Sequence, residues 1–202
     1  MKIGLKKIDK NEYFEDLNQT EVLRILSYRS LKRRRESFSS LRLLKILLNE
    51  KGVQEFDIKR DLSGKPYLDN LNIYFNMSHS EEYSTCVISS VEVGIDIEKI
   101  SSKARNIAKR FLNFEEYKNH QNNEYNDEKL TTLWTIKESY TKLIGRGLTK
   151  SFKQLKIVEN KDYFEVIDNT ENSFAKVFKH DDYIITVCVK NLDELPNEIT
   201  IY

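Results

Sequence analysis

Along Val91-Glu92-Val93-Gly94-Ile95-Asp96-Ile97-Glu98, β-branched residues at 91, 93, 95 and 97 alternate with 92, 94, 96 and 98, the period of a half-buried strand. Asp96 and Glu98 therefore point the same way, their Cβ atoms roughly 7 Å apart, and Gly94 is expected to leave an open place beside them. A second pattern has the helical step. Leu130, Leu133, Ile136, Tyr140, Leu143 and Ile144 share one side of a helix predicted over 128–144, stopped by Gly145 and Gly147. Glu138 and Lys142 lie four apart on the flank away from that stripe, and Lys137 lies at its edge.

The remaining pattern predicts a strand over 2–8, a helix over 30–49 and a run of strands through 73–98. Helices over 103–119 and 128–144 follow, with a loop across 120–127, then strands near 154–159, 162–168, 173–179 and 182–190. Blocks of helix and blocks of adjacent strands, rather than strict alternation, predict an α+β fold with antiparallel sheets.

Composition adds bounds. A chain of 202 residues can bury an adequate core in one or two domains, and six glycines and two prolines leave no linker-like stretch. The net charge of +1 with 32% charged residues lacks the positive field of a dedicated nucleic-acid binder, so no nucleic-acid partner is expected. The N-terminal residues are too polar for a signal peptide and no apolar run reaches 18 residues, so no membrane partner and a cytoplasmic location are expected. Cys86 and Cys188, distant and inside apolar strands, read as reduced core thiols.

Three carboxylates and two lysines on the 91–98 strand and the 128–144 helix suit a hard cation that handles phosphate. Each piece alone has a plainer reading: an i, i+4 Glu–Lys pair is usually solvated, and acidic residues on an edge strand often only prevent aggregation. The basic cluster Arg24, Arg29, Lys32, Arg33, Arg34, Arg35 and Arg42 is, by itself, most often a solvated helix face.

Gly-Ile-Asp-Ile-Glu at 94–98 followed by Trp134-x-x-Lys137-Glu138-Ser139-x-x-Lys142 closely resembles the paired signature of the 4′-phosphopantetheinyl transferase superfamily. Gly64-Lys65-Pro66, Phe75-Asn76-Met77-Ser78-His79-Ser80 and Phe111-Leu112-Asn113-Phe114-Glu115-Glu116-Tyr117 resemble further blocks of that family in the expected order, covering 64–148. The length resembles the long, two-lobed, surfactin-synthetase-activating-enzyme-like type. The resemblance implies two similar lobes related by a pseudo-twofold, each with helices packed on a small antiparallel sheet, divided as 1–98 and 99–202, in a monomer.

The resemblance also implies transfer of 4′-phosphopantetheine from coenzyme A to a serine of an apo acyl or peptidyl carrier protein, releasing 3′,5′-ADP. Mg²⁺, or Mn²⁺, would be held by Asp96, Glu98 and Glu138. Arg42, Lys65, Ser78, His79, Lys137 and Lys142 would contact coenzyme A, although Ser27 and Ser30 stand where the family has upstream lysines. Lys142 would meet charge developing on the transferring phosphoryl group. Glu116, Glu138 or a metal-bound water would take the serine proton, and the sequence does not choose among them. The rival classes are a metal-dependent phosphoesterase and a non-catalytic polyanion-binding module.

Overall fold

The computed structural model describes residues 1–9, 19–145, 152–169 and 171–202, so Gly147 lies outside the described residues. In chain order the elements are β1 (Lys2–Lys7), α1 (Gln19–Ser27), α2 (Leu31–Glu50), β2 (Ile58–Arg60), β3 (Pro66–Leu68), β4 (Tyr74–Ser80), β5 (Tyr83–Ser89) and β6 (Val93–Lys99). They continue with α3 (Lys103–Phe111), α4 (Phe114–Gln121), α5 (Asp127–Ile144), β7 (Lys156–Glu159), β8 (Phe164–Ile167), β9 (Asn172–His180), β10 (Tyr183–Val189) and β11 (Thr200–Ile201). The protein is α+β, as the blocks of pattern predict.

Two larger sheets carry the fold, in the orders β11-β1-β5-β4 and β6-β10-β9-β8-β7. Every pairing in them is antiparallel except β1 with β11, which is parallel. The strand β6, whose acidic residues were expected to close the first lobe at 98, is hydrogen-bonded along its length to β10 and so belongs to the second sheet. In the other direction, β11 returns from the C-terminal end to the first sheet.

The long helices start and stop where local chemistry allows. Ser30 caps α2 by accepting from the Arg33 N–H at 3.3 Å, Asn126 caps α5 by accepting from the Lys129 N–H at 2.8 Å, and Gly145 ends α5 in the left-handed conformation at φ 67°. The single helix expected over 103–119 is two helices. Leu112 is extended (φ −70°, ψ 137°), and Asn113 with Glu116 forms a reciprocal capping box that restarts the chain as α4.

Helix α2 lies on β1, β5 and β4, and α5 lies on β6 and β10. These two units repeat one set of contacts. Ser39 of α2 meets Ser84 of β5 at 2.9 Å, and Thr135 of α5 meets Thr186 of β10 at 2.8 Å, both pairs buried. Two residues beyond each strand hydroxyl comes a buried cysteine, Cys86 or Cys188, paired in register with Gly4 or Gly94. Four residues beyond each helix hydroxyl, Leu43 or Ser139 packs over that glycine. A third apolar cluster, with Ile3, Leu5 and Val87 from one unit and Val93, Ile95, Ile97, Ile185 and Val187 from the other, joins them.

Candidate functional site: the seam between two sheet edges

The edge strands β4 and β6 run side by side in the same direction, joined by side chains in the place of a backbone ladder. The even positions of β4 face β6. Asn76 Oδ1 accepts from the Ile95 N–H at 3.3 Å, the Ser78 hydroxyl donates to Asp96 Oδ1 at 2.8 Å, and the Ser80 hydroxyl donates to Glu98 Oε2 at 2.8 Å. The odd positions turn to α2: Phe75 and Met77 enter its apolar cluster, and His79 Nδ1 stands 3.4 Å from Glu36. Period-two alternation thus gives β4 one apolar and one polar face.

Helix α5 closes the seam from above. Lys142 Nζ donates to both Asp96 Oδ1 and the Ser78 oxygen, each at 2.8 Å. The carboxyl of Glu138, one turn earlier, accepts no side-chain hydrogen bond from the described residues. Burial pushes its carboxyl up to about 7, helped by the charge of Asp96 and then Glu98 and opposed by Lys142. Glu98 is also raised, first by burial and then by Asp96, while hydrogen bonds from Ser80 and Trp134 pull it back. Asp96 is 4% exposed, and its Oδ2 is buried with no hydrogen-bond partner among the described residues.

These facts decide whether a divalent cation fits. Among the described residues no group of three or more His, Cys, Asp or Glu side chains stands close enough to be a ready-made cation cage. The donor chemistry nevertheless suits a hard cation. A buried carboxylate oxygen without a partner is costly, and two neighbouring carboxyls are held toward their protonated forms by burial and mutual repulsion, which a cation would relieve.

Beside the carboxylates opens a cavity of about 330 Å³, lined by Glu138, Thr141, Lys142 and Gly145 on one side and by Gly64, Lys65, Pro66, Asn76 and Met77 on the other. Lys65 crosses it: its ammonium donates to the Leu143 carbonyl at 2.9 Å near the C-terminal end of α5, and burial lowers its pKa. A larger cavity of about 500 Å³, bounded by Glu21, Leu41, Asp57 and Leu71, lies away from the carboxylates.

Several expectations change. Gly94 leaves no open place: a Cβ there would lie 2.0 Å from the Ser139 carbonyl oxygen and 2.6 Å from the Leu143 nitrogen, because α5 backbone fills the space. Lys137 does not face the cavity as a phosphate contact would. It is fully buried and donates to the Phe111 carbonyl at 3.0 Å and to Glu116 Oε2 at 2.5 Å, since the helical step turns it to the α3–α4 corner. Glu116, offered as a base, is held by that ion pair and by the capping bond from the Asn113 N–H. The Ser78 hydroxyl, expected on coenzyme A, is turned inward to Asp96. His79 lies on the other face of β4 with Glu36 and the nearby Arg33, and Arg42 is exposed on α2. Ser80 and Trp134, which hold Glu98, were not singled out as site residues, although the alternation Asn76-x-Ser78-x-Ser80 already put three polar side chains on one strand face.

Residues 92–188, which span β6 to β10, match the model of the 4′-phosphopantetheinyl transferase superfamily. Over those residues the chain belongs to that superfamily. Among curated proteins it is 47% identical over 87 residues to the 4′-phosphopantetheinyl transferase gsp of Aneurinibacillus migulanus, covering 42% of this chain and 36% of that one. It is 33% identical over 149 residues to a 4′-phosphopantetheinyl transferase of Bacillus subtilis, covering 70% of this chain and 63% of that one. The chain thus spans less than two thirds of the length of these relatives. Among solved structures, the holo-[acyl-carrier-protein] synthase of Helicobacter pylori in complex with coenzyme A aligns at 20% identity and a TM-score of 0.41, over 49% of this chain and 99% of that one.

Proposed function

We propose that the chain transfers 4′-phosphopantetheine from coenzyme A to a serine hydroxyl of an apo acyl or peptidyl carrier protein, releasing 3′,5′-ADP. It would work in the cytoplasm, as a monomer of two lobes, with Mg²⁺ or Mn²⁺. The observation that carries the reading is the unpartnered, buried Asp96 Oδ2 in contact range of the charges of Glu98, Glu138 and Lys142, the last two of which line a cavity.

Asp96, Glu98 and Glu138 would hold the cation, which when bound supplies positive charge against the pyrophosphate of coenzyme A. Lys142, already aimed at the seam, meets charge on the transferring phosphoryl group. Glu138, which lines the cavity, is placed to take the proton of the attacking serine, whereas Glu116 is engaged by Lys137. His79, with Arg33 nearby, and the exposed Arg42 receive the nucleotide's phosphate, and Lys65 contacts the substrate after leaving the Leu143 carbonyl.

The test incubates the protein with coenzyme A, Mg²⁺ and a panel of apo carriers and weighs each carrier intact. One carrier at least gains the mass of phosphopantetheine, and Asp96→Ala gives no gain. An unchanged mass on every carrier, or release of 3′,5′-ADP without any acceptor, would favour a hydrolase or binding module instead.

A further inference from the structure

We propose that Ser78 and Ser80 are positioning residues, each engaging one oxygen of Asp96 or Glu98 so that these carboxylates are held toward a divalent cation. The inference rests on the cation reading given above. Ser78 and Ser80 are 8% and 7% exposed, so each hydroxyl works inside the seam. A serine hydroxyl has one hydrogen to donate, and each gives it to a carboxylate, at 2.8 Å in both cases. The accepting side of each oxygen is also filled, by Lys142 Nζ at 2.8 Å on Ser78 and by the Lys99 N–H at 3.3 Å on Ser80. Both rotors are therefore fixed with the hydrogen toward the acid.

One oxygen of each carboxylate is thereby engaged from β4. At Asp96 the consequence is explicit: Oδ1 accepts from Ser78 and Lys142, and Oδ2 remains buried and unpartnered. Because the serines sit two apart on β4 and the acids two apart on β6, one strand registers both donors of the other. Groups that orient metal ligands from behind typically change metal affinity by about 10–100-fold when removed.

Mg²⁺ binding to the full-length chain, measured by titration calorimetry without coenzyme A or carrier, tests this directly. Ser78→Ala and Ser80→Ala weaken Mg²⁺ binding about 10–100-fold, while Ser80→Thr, which keeps the hydroxyl, restores most of it. Melting midpoints without Mg²⁺ separate lost folding from lost aim. Wild-type affinity in both alanine variants, alongside abolished binding in Asp96→Ala, overturns the positioning role and leaves the cation reading standing. Equal behaviour of wild type and Asp96→Ala overturns the cation reading, and the positioning role with it.

Discussion

Lys137 and Lys142 are five residues apart on α5, about 140° around the helix, and that angle separates their environments. Lys142 reaches the seam, whereas Lys137 is sealed against Glu116, and burial lowers its pKa while Glu116 opposes the shift. Removing one member of a buried pair leaves the other charge uncompensated, at about 3–5 kcal/mol, whereas neutralising both costs much less. Lys137→Met is therefore expected to lower the urea midpoint sharply, and Lys137→Met with Glu116→Gln to recover most of it. A catalytic proton acceptor at Glu116 would instead show its main loss in turnover with stability intact.

His79 gives a pH dependence. Burial depresses its pKa below the ordinary 6.5, with Lys142 and Arg33 acting in the same direction and Glu36 and Asp96 opposing. The unfolded chain then binds the proton more readily than the folded one, so stability is lost as pH falls below about 6.5 through the folded value. In His79→Gln, the fall in urea midpoint between about pH 7.5 and about pH 5.5 is expected to be shallower than in wild type. Equal falls in the two proteins would mean that His79 titrates alike in both states.

At the scale of elements, the contact of α5 with β6 sets the site. Glycine at 94 lets helix backbone approach strand backbone, which lowers Glu138 and Lys142 to the carboxylates of β6. A methyl group at 94 meets main-chain atoms that cannot rotate away, so α5 must withdraw. Gly94→Ala is expected to cost about 1–3 kcal/mol or more and to abolish Mg²⁺ binding. Calorimetric binding at wild-type strength in a folded Gly94→Ala protein would contradict this account. The α3–α4 break acts on the same helix from the other side. By ending α3 at Phe111 and capping α4 at Asn113, the chain brings both the Phe111 carbonyl and Glu116 to Lys137.

For the whole molecule, two units built on the same hydroxyl, cysteine and glycine contacts meet face to face, yet their chemistry differs. In the matching register Lys6 stands where the second unit has Asp96, and Arg42 stands where it has Glu138. At these two matched positions the first unit carries cations and the second carboxylates. A cation bound only by the folded chain stabilises it by about 2.7 kcal/mol at 100 times its dissociation constant, worth roughly 5–10 °C for a chain of this size. Mg²⁺ with coenzyme A is expected to raise the melting midpoint of wild type by that order and to leave Asp96→Ala unmoved.

The sequence by itself determined the strand with Asp96 and Glu98 on one face, the long helix with Glu138 and Lys142 on one flank, and the blocks that resemble the transferases. Those are properties of one element at a time, where periodicity and capping residues act over a few positions. The capping pair Asn113 and Glu116 was equally present, but the polar run between 113 and 119 masked the break. Only the tertiary structure decided that β4 meets β6 through serine hydroxyls, that Lys137 turns inward, and that α5 fills the space at Gly94. Periodicity states which face of an element is apolar. It carries no information about which element covers that face, how closely, or which buried oxygen is left without a partner.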